Sequence, residues 1–156
     1  MHFAEYDSPV GILVLSSDGK ALKGLTMGGR APGQIQEDEI LRRTRLWLDR
    51  YFRGKNPGPE IPLAPEGTAF QQRVWKQLLK IPYGATCTYG ELARELGKPM
   101  SAQAVGQAVG RNPISILVPC HRVMGAGGKL TGYAWGIEKK KWLLNHEAGR
   151  NHHEDC

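Results

Sequence analysis

The segment Pro119-Cys120-His121-Arg122 places a thiol, an imidazole and a guanidinium on three successive residues. A thiol becomes a strong nucleophile only as a thiolate, which a nearby base or positive charge stabilises by lowering the pKa from about 8.5. Neighbouring residues of an extended strand face opposite ways, so contact between Cys120 and His121 requires a turn or a bridging water. The alternative is a buried structural cysteine beside a hydrogen-bonded histidine, and a bare Cys-His pair favours that alternative.

Two predicted elements would position these groups. The apolar run from Ile114 to Val118 is interpreted as a buried strand that delivers Cys120 at its end. Residues 137–147 predict the last helix of the chain. Glu147 lies at the end of that helix, where its carboxylate could orient the imidazole of His121 as the third member of a relay.

A pair of short helices is predicted upstream of the cysteine. Thr88 and Glu91 have the spacing of a capping box, which starts a helix that Gly97 ends. Ser101 can cap a second helix that runs to about Gly110. Two short helices joined by a tight turn are typical of a helix-turn-helix.

The second of these helices has few bulky side chains outside its apolar face. Its other positions are small or polar: Ser101, Ala102, Gln103, Gly106, Gln107 and Gly110. Such a surface allows the backbone to approach another molecule, although tight packing against a neighbouring helix is the simpler reading of this feature alone. Together with the preceding short helix and the charge distribution, it favours docking on DNA.

The excess of positive over negative charge lies entirely in the second half of the chain. Residues 1–69 hold nine basic and nine acidic residues, whereas residues 70–156 hold twelve basic and six acidic residues. A basic half beside a neutral half indicates a polyanionic partner, of which nucleic acid is the commonest. A net charge of +6 is also within the range that merely keeps a protein soluble.

The composition favours a protein that is neither secreted nor membrane-spanning. The start of the chain lacks a signal-peptide pattern, and no apolar run reaches the roughly 18 residues that a membrane span needs. The three cysteines, Cys87, Cys120 and Cys156, form no CxxC pair and no recognisable zinc motif. These features predict a soluble protein of the cytoplasm or nucleoid, without metal, in which one cysteine is present for its reactivity.

The first half reads as a small mixed domain. Residues 10–15 and 21–25 predict an antiparallel hairpin, because turn residues separate two apolar runs. A helix follows from about Glu37 to Gly54, and the proline-rich residues 55–67 read as a linker. A capping box at Thr68 then starts the second half.

Six ordered blocks carry a resemblance to a known family. Residues 112–123, Asn-Pro-Ile-Ser-Ile-Leu-Val-Pro-Cys-His-Arg-Val, closely resemble the active-site signature of the O6-alkylguanine-DNA alkyltransferases. The other blocks that look like the family are residues 70–75, 81–84, 88–93, 104–106 and 142–147. The likeness covers essentially all of residues 68–149, and the start of the chain at Asp7 to Gly11 is similar but less specific.

The resemblance implies an α+β fold of two domains. Residues 1–66 would form a small supporting domain of antiparallel sheet and helix, RNase H-like, and residues 67–150 a winged helix-turn-helix domain that binds DNA and holds the active site. Residues 151–156 would be a flexible tail. The implied function is DNA repair by direct reversal, in which an alkyl group moves once and irreversibly from O6-alkylguanine, or alternatively O4-alkylthymine, to Cys120.

The resemblance also implies roles for individual residues. His121, acting through water and oriented by Glu147, would keep Cys120 as a thiolate. Tyr89 would assist by donating a proton to the departing guanine and by crowding the DNA backbone, and Asn112 would brace the turn before the active site. The predicted pocket residues are Val123, Tyr133, Ala134 and Trp135. The predicted DNA contacts are Thr88, Tyr89, Ser101, Ala102, Gln103, Gly106, Arg111 and Arg122.

The implied partner is double-stranded DNA bound through the minor groove, with the damaged nucleotide rotated out because a stacked base hides the attacked atom. We expect no cofactor and a monomeric protein. Three positions depart from the usual family pattern. Gln103 replaces an arginine that fills the gap left by the base, Ala134 replaces a serine, and Trp135 replaces a glycine, which could exclude large adducts.

Two other functions compete with this interpretation. An alkyltransferase-like sensor would bind the lesion and recruit other factors, but such proteins usually replace the nucleophile with tryptophan, and Cys120 is present here. A weak transferase acting mainly as a sensor remains the alternative. A Cys-His hydrolase would turn over without DNA, but it explains neither the helix-turn-helix pattern nor the charge asymmetry.

Overall fold

The computed structural model describes residues 1–57, 60–97 and 101–149. The chain divides into two compact units. The first comprises Met1–Glu66 with Pro113–Ser115, and the second comprises Gly67–Asn112 and the chain from Ile116 onward. Residues 113–115, which were predicted to belong to the second domain, therefore group with the first unit.

The first unit contains a three-stranded antiparallel sheet in the order β1-β2-β3: β1 (His2–Ser8), β2 (Gly11–Ser17) and β3 (Leu22–Met27). The hairpin formed by β2 and β3 was predicted, whereas β1 was not. Alternating apolar residues supply the buried face, and Leu15 pairs with Leu25 across the hairpin. The backbone of Leu25 also exchanges hydrogen bonds with Pro113 and Ser115, which explains why that short segment belongs to this unit.

A single helix, α1 (Glu39–Phe52), packs against the strands of this unit. It begins at Asp38, whose side chain accepts a hydrogen bond from the backbone of Leu41 at 2.9 Å. It ends before Gly54, whose φ of 84° is a left-handed conformation that glycine adopts without a steric penalty. Its buried face consists of Ile40, Leu41, Thr44, Trp47, Leu48 and Tyr51.

Three helices form the first part of the second unit: α2 (Ala69–Leu78), α3 (Tyr89–Glu95) and α4 (Ala102–Gly110). The predicted capping boxes at Thr68 and Thr88 are both formed, and Ser101 caps α4 through a bond from the Ala104 backbone at 3.0 Å. The α3–α4 pair packs together as the predicted helix-turn-helix. The turn between them, residues 98–100, lies outside the described residues.

The region before the cysteine differs from the prediction. Ile114 makes only an isolated bridge to Leu25, residues 115–117 form turns, and Ile116 has a φ of 72°. The predicted strand over residues 114–118 is therefore wrong, although the segment is buried as expected. A short apolar run can be a buried strand or a buried turn, and periodicity does not distinguish them.

The remainder of the second unit surrounds the cysteine. Strand β4 (Cys87–Thr88) pairs in parallel with β5 (Val123–Met124), so the residue before α3 lies beside the residues that follow Arg122. The last helix, α5 (Ile137–Glu147), has the predicted bounds. Together the elements confirm a mixed α+β fold. No helix among the described residues is long and apolar enough to cross a membrane, and the predicted tail at 151–156 lies outside them.

Candidate active site

A tight 3₁₀ turn, Cys120–Arg122, carries the candidate nucleophile. The turn is closed by a hydrogen bond from the Arg122 backbone to the Pro119 carbonyl at 3.0 Å. Cys120 is 7% exposed and His121 is fully buried. The turn that contact between Cys120 and His121 would require is therefore present, and it removes the opposite-facing geometry of an extended strand.

The side chain of Asn112 supports the segment that leads into this turn. Its amide donates a hydrogen bond to the Val118 carbonyl at 2.8 Å, and both groups are buried. Between them the chain passes through Ile116, whose positive φ is uncommon for a β-branched residue. A buried hydrogen bond across such a bend holds it in one conformation, which is consistent with the bracing role expected of Asn112.

The imidazole of His121 lies directly against the carboxylate of Glu147. Nε2 of His121 and Oε2 of Glu147 are 2.6 Å apart, and the Glu147 side chain is 2% exposed. Nδ1 of His121 has no hydrogen-bond partner among the residues that the structure describes. Glu147 therefore fixes one nitrogen of the ring and leaves the other available to exchange a proton, as in other nucleophile-base pairs.

Arg122 is placed differently from its predicted role as a DNA contact. It is buried, and its Nε and Nη2 donate to the two oxygens of Glu147 at 2.7 and 3.1 Å. Its Nη1 donates to the Ile81 carbonyl at 2.9 Å, and its guanidinium carbon lies 5.7 Å from the Tyr83 ring centroid. With these groups already engaged inside the protein, the placement argues against the predicted DNA contact.

Lys140, a fully buried residue of α5, was not predicted as part of the site. Its ammonium group donates to the carbonyls of Val123 at 2.7 Å, Thr131 at 3.3 Å and Gly132 at 3.4 Å. It thereby joins the strand after the cysteine turn to the predicted pocket loop. Helical spacing could have revealed it, because Lys140 shares a face with Leu143 and Glu147, which lie three and seven positions further on.

Opposing effects act on the thiol of Cys120. Burial raises its pKa, whereas hydrogen bonds with the Asn112 and Tyr133 side chains and the positive charge of Lys140 act to lower it. Burial also lowers the pKa of His121, which Glu147 partly opposes. Both effects favour the uncharged forms, a neutral thiol beside a neutral imidazole, as the resting state of the site.

The carboxylate of Glu147 is the charged member of the relay. Burial acts to raise its pKa, but the charges and hydrogen bonds of His121 and Arg122 outweigh that effect and hold the pKa far below the usual range. Glu147 is therefore ionised at neutral pH. The arrangement can hold an imidazole in one orientation and stabilise a positive charge that develops on it.

The four predicted pocket residues occupy two segments. Val123 is buried in β5, and Tyr133 and Trp135 are half-buried in the loop before α5, whereas Ala134 is exposed. The Tyr133 side chain lies near enough to the Cys120 thiol to lower its pKa. The structure thus brings Tyr133 to the cysteine, while the pocket roles of the other three stay predictions.

The remaining predicted residues lie on the helix-turn-helix. The Tyr89 ring packs on α4, because a β-carbon at Gly106 would lie 3.7 Å from it. Thr88 and Ser101 are engaged as helix caps. Ala102, Gln103 and Arg111 are exposed on or directly after α4. All of these positions belong to the helix-turn-helix or its flanking residues, and their DNA contacts stay predictions.

The described part of the chain offers no group of three or more His, Cys, Asp or Glu side chains that could hold a metal ion. The reactive groups that the site does bring together are the thiol of Cys120, the imidazole of His121 and the carboxylate of Glu147.

Comparison with known proteins places both parts of the chain in one family. The family model of the 6-O-methylguanine DNA methyltransferase DNA binding domain matches residues 69–149. The model of the 6-O-methylguanine DNA methyltransferase ribonuclease-like domain matches residues 1–65. The two matches follow each other without overlap and account for nearly all of the described residues.

Individual relatives agree with the family models. The methylated-DNA–protein-cysteine methyltransferase of Methanosarcina acetivorans is 45% identical over 153 residues, covering 94% of this chain and 98% of that protein. The Mycobacterium tuberculosis protein of the same name is 44% identical, covering 96% and 94%. The crystal structure of Mycobacterium tuberculosis OGT in complex with DNA matches with a TM-score of 0.88 and 45% identity, again covering 96% and 94%. The chain therefore belongs to the 6-O-methylguanine DNA methyltransferase family.

Proposed function

We propose that this protein repairs alkylated DNA by direct reversal of the damage, taking an alkyl group from O6 of guanine onto Sγ of Cys120. The observation that carries the proposal is the buried arrangement of Cys120, His121 and Glu147, with 2.6 Å between His121 Nε2 and Glu147 Oε2. Family membership and the likeness to a DNA-bound structure support it. O4-alkylthymine is the alternative lesion.

The proposed first step forms the thiolate. Nδ1 of His121 takes the proton of Cys120 through a bridging water, and Glu147 stabilises the resulting imidazolium. The Lys140 charge and the Asn112 and Tyr133 side chains stabilise the thiolate. Burial disfavours both the thiolate and the imidazolium. The proton therefore moves readily only when a substrate is present to react with the thiolate.

The transfer itself is a single displacement. Sγ of Cys120 attacks the alkyl carbon, a carbon–sulfur bond forms, and the bond from that carbon to guanine O6 breaks with its electron pair left on the guanine. Tyr89 is proposed to supply the proton that neutralises the guanine. The thioether has no easy hydrolytic exit, so each molecule acts once, and no cofactor is required because the thiol is both nucleophile and acceptor.

Access to the base is proposed to depend on α4. Its exposed small residues would enter the minor groove of duplex DNA, and the damaged nucleotide would rotate toward Tyr133 and Cys120. Gln103 would occupy the gap and hydrogen-bond the orphaned base without supplying a charge. We propose that the protein acts as a monomer on the DNA of the nucleoid.

Two competing functions fit less well. A lesion sensor has no use for a buried cysteine beside a positioned imidazole, so that alternative is not favoured. A hydrolase would release its acyl group to water, and it would leave the helix-turn-helix without a role.

The test is the mass of the intact protein after mixing with excess duplex DNA that contains O6-methylguanine. We expect one addition of about 14 Da, the increment when a methyl group replaces a proton on the nucleophilic sulfur. The addition should vanish in Cys120→Ser and persist in the matched control Cys87→Ser, which alters the half-buried cysteine of β4. An unchanged mass despite DNA binding would favour the sensor, and an unchanged mass without DNA binding would favour the hydrolase.

A further inference from the structure

Arg122 is the most heavily engaged side chain of the site, and the proposed reaction does not use it. Its Nε donates to Glu147 Oε1 at 2.7 Å and its Nη2 to Glu147 Oε2 at 3.1 Å. Its Nη1 donates to the Ile81 carbonyl at 2.9 Å, and Tyr83 lies against its face. Arg122 is therefore held on three sides, with its charge directed at the relay carboxylate.

Three nitrogen atoms of Arg122 and His121 lie within hydrogen-bond distance of the two carboxylate oxygens of Glu147. Oε1 accepts from Arg122 Nε, whereas Oε2 is shared between Arg122 and His121, whose Nε2 is 2.6 Å away. The guanidinium is always protonated, so it neutralises the carboxylate whatever the state of the imidazole. His121 consequently faces a carboxylate whose charge is already matched.

The charged and titratable groups that face His121 come from two elements. Its own 3₁₀ turn contributes Cys120 and Arg122, and α5 contributes Lys140 and Glu147. Tyr83, on the segment after α2, faces Glu147 and Arg122. Among these groups only Glu147 favours a protonated imidazole, while Arg122 and Lys140 oppose it.

We propose that Arg122 is a positioning residue that matches the charge of Glu147, so that His121 stays neutral at physiological pH and can accept the proton of Cys120. The role rests on the proposed function, because a neutral imidazole matters only if His121 is the base. An imidazole facing an unmatched carboxylate would already be protonated, and it could then take no proton from the thiol. Arg122 would thus act through Glu147 without touching the substrate.

The pH dependence of a single round of transfer tests this role. In the wild-type protein the rate should begin to fall only below about pH 6.5, the usual histidine value, because His121 stays neutral above it. In Arg122→Gln, which keeps a donor but removes the charge, this acidic limb of the pH profile should move up by about one pH unit. The ratio of the rates at pH 8 and pH 6 should then rise by up to about fivefold. A rate that falls equally at every pH, with the limb unmoved, would reduce Arg122 to a structural role.

Arg122→Lys is the matched control. It keeps the charge while losing the two-point geometry, so its rate should fall without a shift of the acidic limb. A shift as large as that of Arg122→Gln would contradict the proposal, because charge would then not be the cause.

A second measurement needs neither transfer nor a variant of Arg122 that folds. In the protein with Cys120→Ser, nuclear magnetic resonance can follow the titration of the His121 ring, assigned by comparison with His121→Asn. The ring should titrate below about 6.5, the usual histidine value. An imidazolium that persists at pH 7 would overturn the proposal for Arg122 whatever the transfer assay shows. A neutral ring in Cys120→Ser together with a wild-type protein that fails to methylate itself would instead reject the proposed function.

Discussion

The relay around Cys120 and the exposed face of α4 are built in opposite ways. In the relay, Glu147 bonds both His121 and Arg122, and the side chains involved are almost wholly buried. On α4, Ala102 and Gln103 are exposed, and Gly106 carries no side chain. The relay holds its charged groups in fixed positions, whereas the exposed face of α4 leaves room for another molecule to approach.

The difference teaches that chemistry and recognition place different demands on a sequence. Proton transfer needs groups held within hydrogen-bond distance of one another, which the protein achieves by burying and pairing them. A surface that docks on a groove needs shape and access more than fixed side chains. Substitutions in the relay should therefore cost stability and activity together, whereas substitutions on α4 should separate the two.

The largest expected effect comes from removing the charge of Glu147. In Glu147→Gln an amide NH₂ would face one of the donors of His121 or Arg122, and the buried guanidinium would lose its counter-charge. Breaking a buried pair in this way costs about 3–5 kcal/mol. Urea unfolding should show this loss, while Glu138→Gln, an exposed change on the same helix, should cost less than about 0.5 kcal/mol. Equal costs would mean that the relay contributes nothing to folding.

The difference in unfolding free energy between the wild type and Glu147→Gln should depend on pH in a defined way. The pKa of Glu147 is lower in the folded protein than in the unfolded chain, so its contribution to stability is present above about pH 4.3 and is lost as the pH falls through the folded value. The stability difference between wild type and Glu147→Gln should stay constant from pH 8 to pH 5 and shrink below pH 4. A difference that grows in acid would contradict this assignment.

Local sequence patterns predicted the helices around α4 better than they predicted the contacts of the relay. The capping boxes at Thr68 and Thr88 depend on residues three positions apart, so a local pattern was enough to find them. The pairing of His121 with Glu147, which lie 26 positions apart in the chain, was only one possibility offered by the predicted last helix, and the family resemblance favoured it. The structure supplies the geometry.

Two positions differ from what the sequence indicated. The resemblance implied that Arg122 contacts DNA, whereas its side chain is hydrogen-bonded to Glu147 on the distant helix α5. The buried run from Ile114 to Val118 looked like a strand, but Asn112 closes it into turns. Tight turns and long-range pairing decide such positions, and neither leaves a distinctive local pattern in the sequence.

A methyl group at Gly106 should separate stability from recognition. Its β-carbon would lie 3.7 Å from the Tyr89 ring, an ordinary contact, so Gly106→Ala should fold normally. Alanine within a helix is about 1 kcal/mol more favourable than glycine, so urea unfolding should show a more stable protein. The same methyl group would stand on the face proposed to meet DNA, and affinity for duplex should fall several-fold in a binding titration.

Gly110→Ala provides the matched control, because Gly110 ends the same helix and a β-carbon added there would meet no atom within 4 Å. It should gain stability and, because it lies at the end of the helix, lose less affinity than Gly106→Ala. If both variants bind DNA as tightly as the wild type, the small residues of α4 serve internal packing. The exposed face of α4 would then not be a recognition surface, and its contrast with the relay would fail.

The smallest expected effect sharpens the same comparison at Gln103. Gln103→Arg adds a charge and a longer side chain at the position proposed to fill the gap left by the extruded base. It should speed repair of O6-methylguanine in duplex DNA several-fold while leaving reaction with the free modified base unchanged, as followed by the mass of the intact protein.

Gln107→Arg adds the same charge one turn later on the same exposed face, so both variants should steepen the salt dependence of DNA binding by up to about one unit. Only Gln103→Arg should favour duplex over free base, because only that position is proposed to replace the base. Equal gains in the two variants would assign the effect to charge alone, and no gain would show that Gln103 already supports extrusion or that α4 does not fill the gap.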